Sequence, residues 1–163
     1  MQHKSQIYLT KSIKEFSNDI VGSTTEEIFQ NIRKKIYETV KLVSLDEQYE
    51  KEIRWKRTAD QILDDKIVDT KRGCTDITIL FIAVAKAKNI KCDFVKLRSK
   101  DGKLIHSIIR TKIDGEYFLF DVTKGNFDKE KDSKILQNFD IVKVGKDSWD
   151  IGLSKFGDKL ISN

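Results

Sequence analysis

The sequence has no proline, a single methionine, two cysteines and two histidines among its 163 residues. The missing proline bears on no class of function. Two cysteines do not make a disulfide scaffold. With two histidines and no paired CxxC or HExxH spacing, a zinc site is not expected, and no cofactor is implied. No stretch approaches the roughly 18 consecutive apolar residues that a transmembrane helix needs. The opening residues Met1 to Thr10 lack the apolar core of a signal peptide. The chain is therefore expected to be cytoplasmic, with a removed leader as the alternative. The net charge is +5, yet 31 Lys and Arg are spread among 26 Asp and Glu. That balance favours a solvated surface over a nucleic-acid or anionic-membrane patch. A hydrophobic fraction of 39% and a charged fraction of 35% describe a soluble globular protein. The length suits one domain, 1–163, with a sizeable core. No repeat or linker divides it.

What is present is organised around residues 73–123. Directly after Gly73, the apolar residues Ile77, Leu80, Phe81, Val84 and Ala85 recur at helical spacing. Cys74 thus stands at the first turn of a buried helix. Unpaired N–H groups and the helix dipole favour an anion there, which pushes a thiol toward thiolate. A candidate base follows. Residues 104–113 read as a strand, Asp114-Gly115 as a two-residue turn, and residues 116–122 as the returning strand. That loop pairs Ile113 with Glu116 and carries His106 opposite Thr123. Asp121 becomes the diagonal neighbour of His106 on the same sheet face, where roughly 7–8 Å separates the backbones. A carboxylate there can orient an imidazole and stabilise its charged form.

Gly73-Cys74-Thr75-Asp76, His106 and Asp121-Val122-Thr123, in that order, resemble the transglutaminase-like (papain-related) cysteine enzyme superfamily. The first run stands for its Gly-x-Cys-x-Asp-type nucleophile motif, and the last for its Asp-x-Thr ending. The resemblance covers mainly residues 55–123. It implies an α+β fold in which N-terminal helices and the nucleophile-bearing helix pack on an antiparallel β-sheet. It also implies a Cys74, His106, Asp121 triad acting on a protein or peptide substrate. By the same resemblance Trp55 is a candidate oxyanion donor, beside the backbone N–H of Cys74. Members often carry an aromatic two residues after the histidine and an acid two later. This chain has Ile108 and Arg110 there, positions expected to shape the substrate cleft.

Along the rest of the chain, Ile13, Phe16 and Ile20 suggest a short helix leading to Gly22. Ser23-Thr24-Thr25-Glu26 reads as a capping box. Behind it Phe29, Ile32, Ile36, Val40 and Val43 would line a helix running to about Leu42, with Arg33, Lys34 and Lys35 solvated. Residues 44–56 are charged and less periodic. Thr58 caps a short helix through Ile62 and Leu63, and residues 64–72 would form a cleft rim. Asn89 stops the Cys74 helix. Residues 91–98 read as a strand with Cys92 as a small buried hydrophobe, 124–133 as a loop and 139–144 as a strand. Trp149, Ile151, Leu153, Phe156 and Leu160 would dock the tail. Asp76 fits a first-turn carboxylate favoured by the dipole. His3 has no assigned role.

The chemistry these residues support is thiol-dependent acyl transfer, with a peptidase or amidase favoured over an amine-accepting transglutaminase. Two rivals are a catalytically inactive peptide-binding module and a nucleic-acid binder using Lys51, Arg54, Lys56 and Arg57.

Overall fold

Four residues with short polar side chains start the N-terminal helices. Thr10, Thr24, Asp46 and Thr58 each accept a backbone N–H from the first turn that follows. The computed structural model describes residues 5–160, so His3 lies outside the described residues. The helices are α1 (Lys11–Ser17), α2 (Thr25–Thr39), α3 (Glu47–Ile53) and α4 (Ala59–Asp65). The capping signal before α2 slides one residue from its expected place. Thr24 is the cap and accepts from Glu27 N–H at 3.1 Å, while the Glu27 carboxylate accepts from the Ser23 N–H and hydroxyl.

Helix α2 ends at Thr39, before the expected Leu42. Val40 is its cap, and Val43 belongs to β1 (Lys41–Val43), which pairs in parallel with β2 (Ile67–Asp69). Strand pairing takes the backbone N–H groups that a longer helix would have used. Helix α3 has no counterpart in the expected elements. Its ion pairs Lys51–Glu47, which is exposed, and Arg54–Glu50, which is largely buried, both link i and i+4, so charge rather than an apolar stripe marks it.

Helix α5 (Cys74–Ala87) is apolar nearly all round, and every residue from Thr75 to Ala85 is buried. Such a helix must be covered on several sides. It packs against α1, α2 and α4 on one side and β3 and β4 on the other. Asn89, at φ 60°, lets the chain turn off its end. The sheet comprises β3 (Cys92–Ser99), β4 (Ile105–Ile113), β5 (Glu116–Asp121), β6 (Asn126–Lys129) and β7 (Phe139–Gly145). All its pairings are antiparallel, in the order β6-β5-β4-β3-β7. The segment expected as a loop therefore contributes an edge strand. This is the α+β arrangement implied by the sequence.

The turn between β4 and β5 has Asp114 at φ 50° and Gly115 at φ 82°, and Ile113 pairs with Glu116 as the two-residue loop requires. The main core lies between sheet and helices. Phe29, Phe81 and Phe120 meet there with centroids 5.0–5.5 Å apart. A smaller cluster of Val95, Leu97, Ile108 and Leu119 covers the far sheet face under Ile135 and Leu136. The tail docks through Trp149, whose indole N–H donates to the Trp55 carbonyl at 2.6 Å, and through buried Leu153. Phe156 stays 47% exposed beneath Arg54. Among the described residues no helix is long and apolar enough to cross a membrane.

Because Phe81 is fully buried against Phe29 and Phe120, Phe81→Ala should cost about 3–5 kcal/mol in urea unfolding. Val21→Ala, at an exposed site, should stay within about 0.5 kcal/mol of the parent.

Candidate active site

Cys74 opens α5 and is partly exposed, whereas Thr75 and Asp76 behind it are buried. Gly73, immediately before it, permits a close approach. A Cβ there would sit 2.5 Å from the Asp69 carbonyl, so only glycine lets β2 run this near the helix start. The Asp69 carboxylate accepts the Lys71 and Arg72 N–H groups at 3.0 and 2.9 Å, which shapes the entry turn.

His106 lies near the start of β4, and Asp121 ends β5. Sheet parity puts both on one face, and His106 Nε2 meets Asp121 Oδ2 at 2.9 Å. The other carboxylate oxygen, Oδ1, accepts the Thr123 N–H and hydroxyl at 3.0 and 2.7 Å. Thr123 thereby fixes the carboxylate that fixes the histidine. Arg33 braces this loop from α2, donating to the Val122 and Thr123 carbonyls at 2.7 and 2.9 Å. Arg33 is thus a scaffold residue and not the solvated one its neighbours suggested. Lys35 also has fixed partners, the Phe16 carbonyl and the exposed Asp19 carboxylate.

The His106 ring is also coupled to the Cys74 thiol, so the three side chains form one electrostatic series. Burial pushes the Cys74 thiol up, but the His106 bond, the Lys96 and His106 charges and the Ser107 N–H outweigh it and bring it to about 7. Burial pushes His106 down, but its bonds to Asp121 and Cys74 raise it to about 9. Asp121 is held below the ordinary carboxylate range: burial opposes this, and the His106 and Thr123 bonds prevail. Between about pH 7 and 9 the stable form is therefore thiolate beside imidazolium.

Asp76 does more than meet the helix dipole. It is buried and paired with Arg57 at 2.7 Å, while Arg57 also reaches Asp65 and the Ile67 carbonyl, each at 3.0 Å. Burial pushes the Asp76 carboxyl up, and the Arg57 charge opposes it. Of the basic residues considered for nucleic acid, Lys51, Arg54 and Arg57 are all engaged by acids. Ile108 lines a cavity of about 350 Å³ that adjoins Asp121 and is also walled by Leu119 and Phe139. Arg110 is taken up by Asp93 and Glu130. Trp55 adopts φ 60°, and its ring centroid lies 6.0 Å from the Lys96 ammonium.

Lys96, Thr75 and Ser107 form a buried polar cluster directly behind these groups that motif reading did not identify. The available signal was strand alternation, since Lys96 shares parity with the inward-facing Cys92 and Phe94. Cys92 itself is buried, and burial pushes its thiol up. Among the described residues no group of three or more His, Cys, Asp or Glu could hold a metal ion.

A helix that begins at a cysteine and abuts an antiparallel sheet bearing His and Asp has the cysteine-protease type of α+β fold. The model of the transglutaminase-like domain matches residues 9–142, and the chain belongs to that family. Solved structures resemble it in fold. One is described as "a putative cysteine protease from Cytophaga hutchinsonii", with a TM-score of 0.62 and 15% identity over 97% of this chain and 50% of that one. This chain therefore spans half the length of that structure. Another is calcium-bound LapG of Legionella pneumophila, with a TM-score of 0.50 and 11% identity over 86% of this chain and 83% of that one. No curated protein matches the chain in sequence.

The reactive form of Cys74 should appear as pH rises through about 7 and be lost below it. Removing the imidazolium in His106→Ala should move the midpoint of alkylation toward the ordinary thiol value of about 8.5. Asp121→Asn should give a smaller shift in the same direction, and intact-mass alkylation kinetics measure both.

Proposed function

We propose that the chain is a thiol-dependent acyl-transfer enzyme, a cysteine peptidase or amidase acting on peptide or glutamine-type amides. The observation that carries this reading is the series Cys74, His106, Asp121 at the open start of α5, with the ring bonded to the carboxylate and coupled to the thiol. The thiolate of Cys74 attacks the amide carbon and breaks its π bond, placing the negative charge on oxygen. The N–H of Cys74 lies in the first helical turn, where no intrahelical carbonyl reaches it, and serves as an oxyanion donor. The Trp55 indole is assigned as the second donor.

As the tetrahedral species collapses, the C–N bond breaks and imidazolium His106 gives its proton to the departing amine. Neutral His106 then takes a proton from water, which attacks the thioester and releases Cys74 as thiolate. Asp121 keeps the ring oriented throughout. An extended peptide is the substrate best suited to the surroundings. The cavity that adjoins Asp121 is walled by Ile108, Leu119 and Phe139 and offers apolar surface on the sheet face that carries His106. The fold likeness to a structure described as a cysteine protease supports hydrolysis over amine transfer.

Fluorogenic peptidyl amides and a glutamine-donor peptide, each with and without a primary amine, provide the test. The expected result is amide cleavage with a mass-detectable acyl group on Cys74, lowered by about 10³-fold or more in Cys74→Ala. Incorporation of the amine in preference to water would replace hydrolysis with transamidation. Peptide binding with no acylation of Cys74, even by an activated ester, would make the chain a binding module.

A further inference from the structure

Lys96 sits in the middle of β3, between β4 and β7, and is only 1% exposed. The register between β3 and β7 slips between Lys96 and Leu97, and such irregularities re-aim a side chain. The Lys96 ammonium donates to the Ser107 hydroxyl at 2.8 Å and the Thr75 hydroxyl at 3.1 Å, and those two oxygens lie 2.9 Å apart. Thr75 directly follows Cys74, and Ser107 directly follows His106. One buried cation thus grips the residue behind each member of the reacting pair.

Both hydrogen-bond partners are neutral, and a buried ammonium with no counter-charge is costly. The titratable and charged groups around it are Cys74 and Asp76 on α5, His106 on β4, Arg57 ahead of α4, and Lys143, its register partner on β7. Asp76 is committed to Arg57 at 2.7 Å, and Asp121 to His106 at 2.9 Å. The remaining negative group coupled to Lys96 is the sulfur of Cys74, whose thiolate is shared between Lys96 and His106. We propose that Lys96 is a positioning residue for the nucleophile: a second cation, set inside the fold, that favours the Cys74 thiolate whether or not His106 carries its proton.

The inference rests on the reading of Cys74 as nucleophile and extends it. His106 changes protonation state in each half-reaction, giving its proton to the leaving amine and regaining one from water before the sulfur departs as an anion. Lys96 takes no part in those proton transfers, so a cation behind the sulfur favours the anion at both steps. Burial pushes the Lys96 ammonium below the ordinary lysine range, while the negative charges of Cys74 and Asp76 oppose the fall. Coupling between two titrating groups is reciprocal. Whatever the thiolate does to Lys96, Lys96 does to the thiol in equal measure.

The test compares the pH profile of iodoacetamide alkylation at Cys74 in the parent, Lys96→Met and Lys96→Gln. Met removes the charge at similar length, while Gln keeps a donor for Thr75 and Ser107. Both should raise the midpoint by about one pH unit and slow the reaction roughly tenfold near pH 6, with cooperative thermal unfolding retained. In His106→Ala the midpoint should remain below that of the double variant His106→Ala, Lys96→Met. Unchanged midpoints in the Lys96 variants overturn the proposal while leaving the nucleophile standing. So does a parental profile in Lys96→Gln alone, which would assign the effect to hydrogen bonding. An ordinary thiol profile in the parent removes the nucleophile reading itself. Should the Lys96 variants fail to fold, nitrogen NMR of the Lys96 ammonium in the parent and in Cys74→Ser decides. It should titrate at lower pH without the thiolate, and identical titrations overturn the proposal.

Discussion

A thiol at neutral pH keeps its proton unless positive charge stands close enough to outweigh the cost of burying an anion. In this chain that charge is the His106 imidazolium, and the rest of the site exists to hold it there. Cys74 is fixed by α5, a helix buried on nearly every side and locked between three other helices and the sheet. His106 is fixed by β4, and its ring by Asp121 on the neighbouring strand. Neither placement is local. The helix start and the two strands meet only because the aromatic core of Phe29, Phe81 and Phe120 packs sheet and helices together.

Around the ion pair, polar groups are satisfied in layers. Thr123 fills the free oxygen of Asp121, and Arg33 holds the loop that carries Thr123. On the helix side, Arg57 neutralises Asp76 in the first turn of α5. Beneath the sulfur, Lys96 binds the hydroxyls of Thr75 and Ser107. Such buried networks are costly when broken and orient their members when complete. They give the Cys74 thiol a defined electrostatic surrounding that a loop on the surface could not keep.

Much of this was legible in the sequence because two local signals fix geometry. Asp114-Gly115 sets a two-residue turn, so residue parity alone brings His106 and Asp121 to one face. The apolar period after Gly73 puts Cys74 at a helix start. Elements held together by other forces escaped notice. Helix α3 is marked by i,i+4 ion pairs, and β6 is a short edge strand whose sole large apolar residue is Phe127. Val43 continues the apolar period of α2 by coincidence and is drawn into pairing with β2. Lys96 was hidden by its residue type. Strand alternation directed it inward, but the partners that let a lysine stay there come from residues 21 and 11 positions away. Arg33 likewise belongs to a contact 89 residues distant in sequence.

Coexistence of imidazolium and thiolate at neutral pH can be read from nitrogen NMR of the His106 ring. The ring should be doubly protonated at neutral pH and lose its proton only near 9. In Cys74→Ser, without the sulfur anion, the titration should move to lower pH. A ring that titrates near the ordinary histidine value of about 6.5 and ignores the replacement of Cys74 would mean that no such ion pair forms.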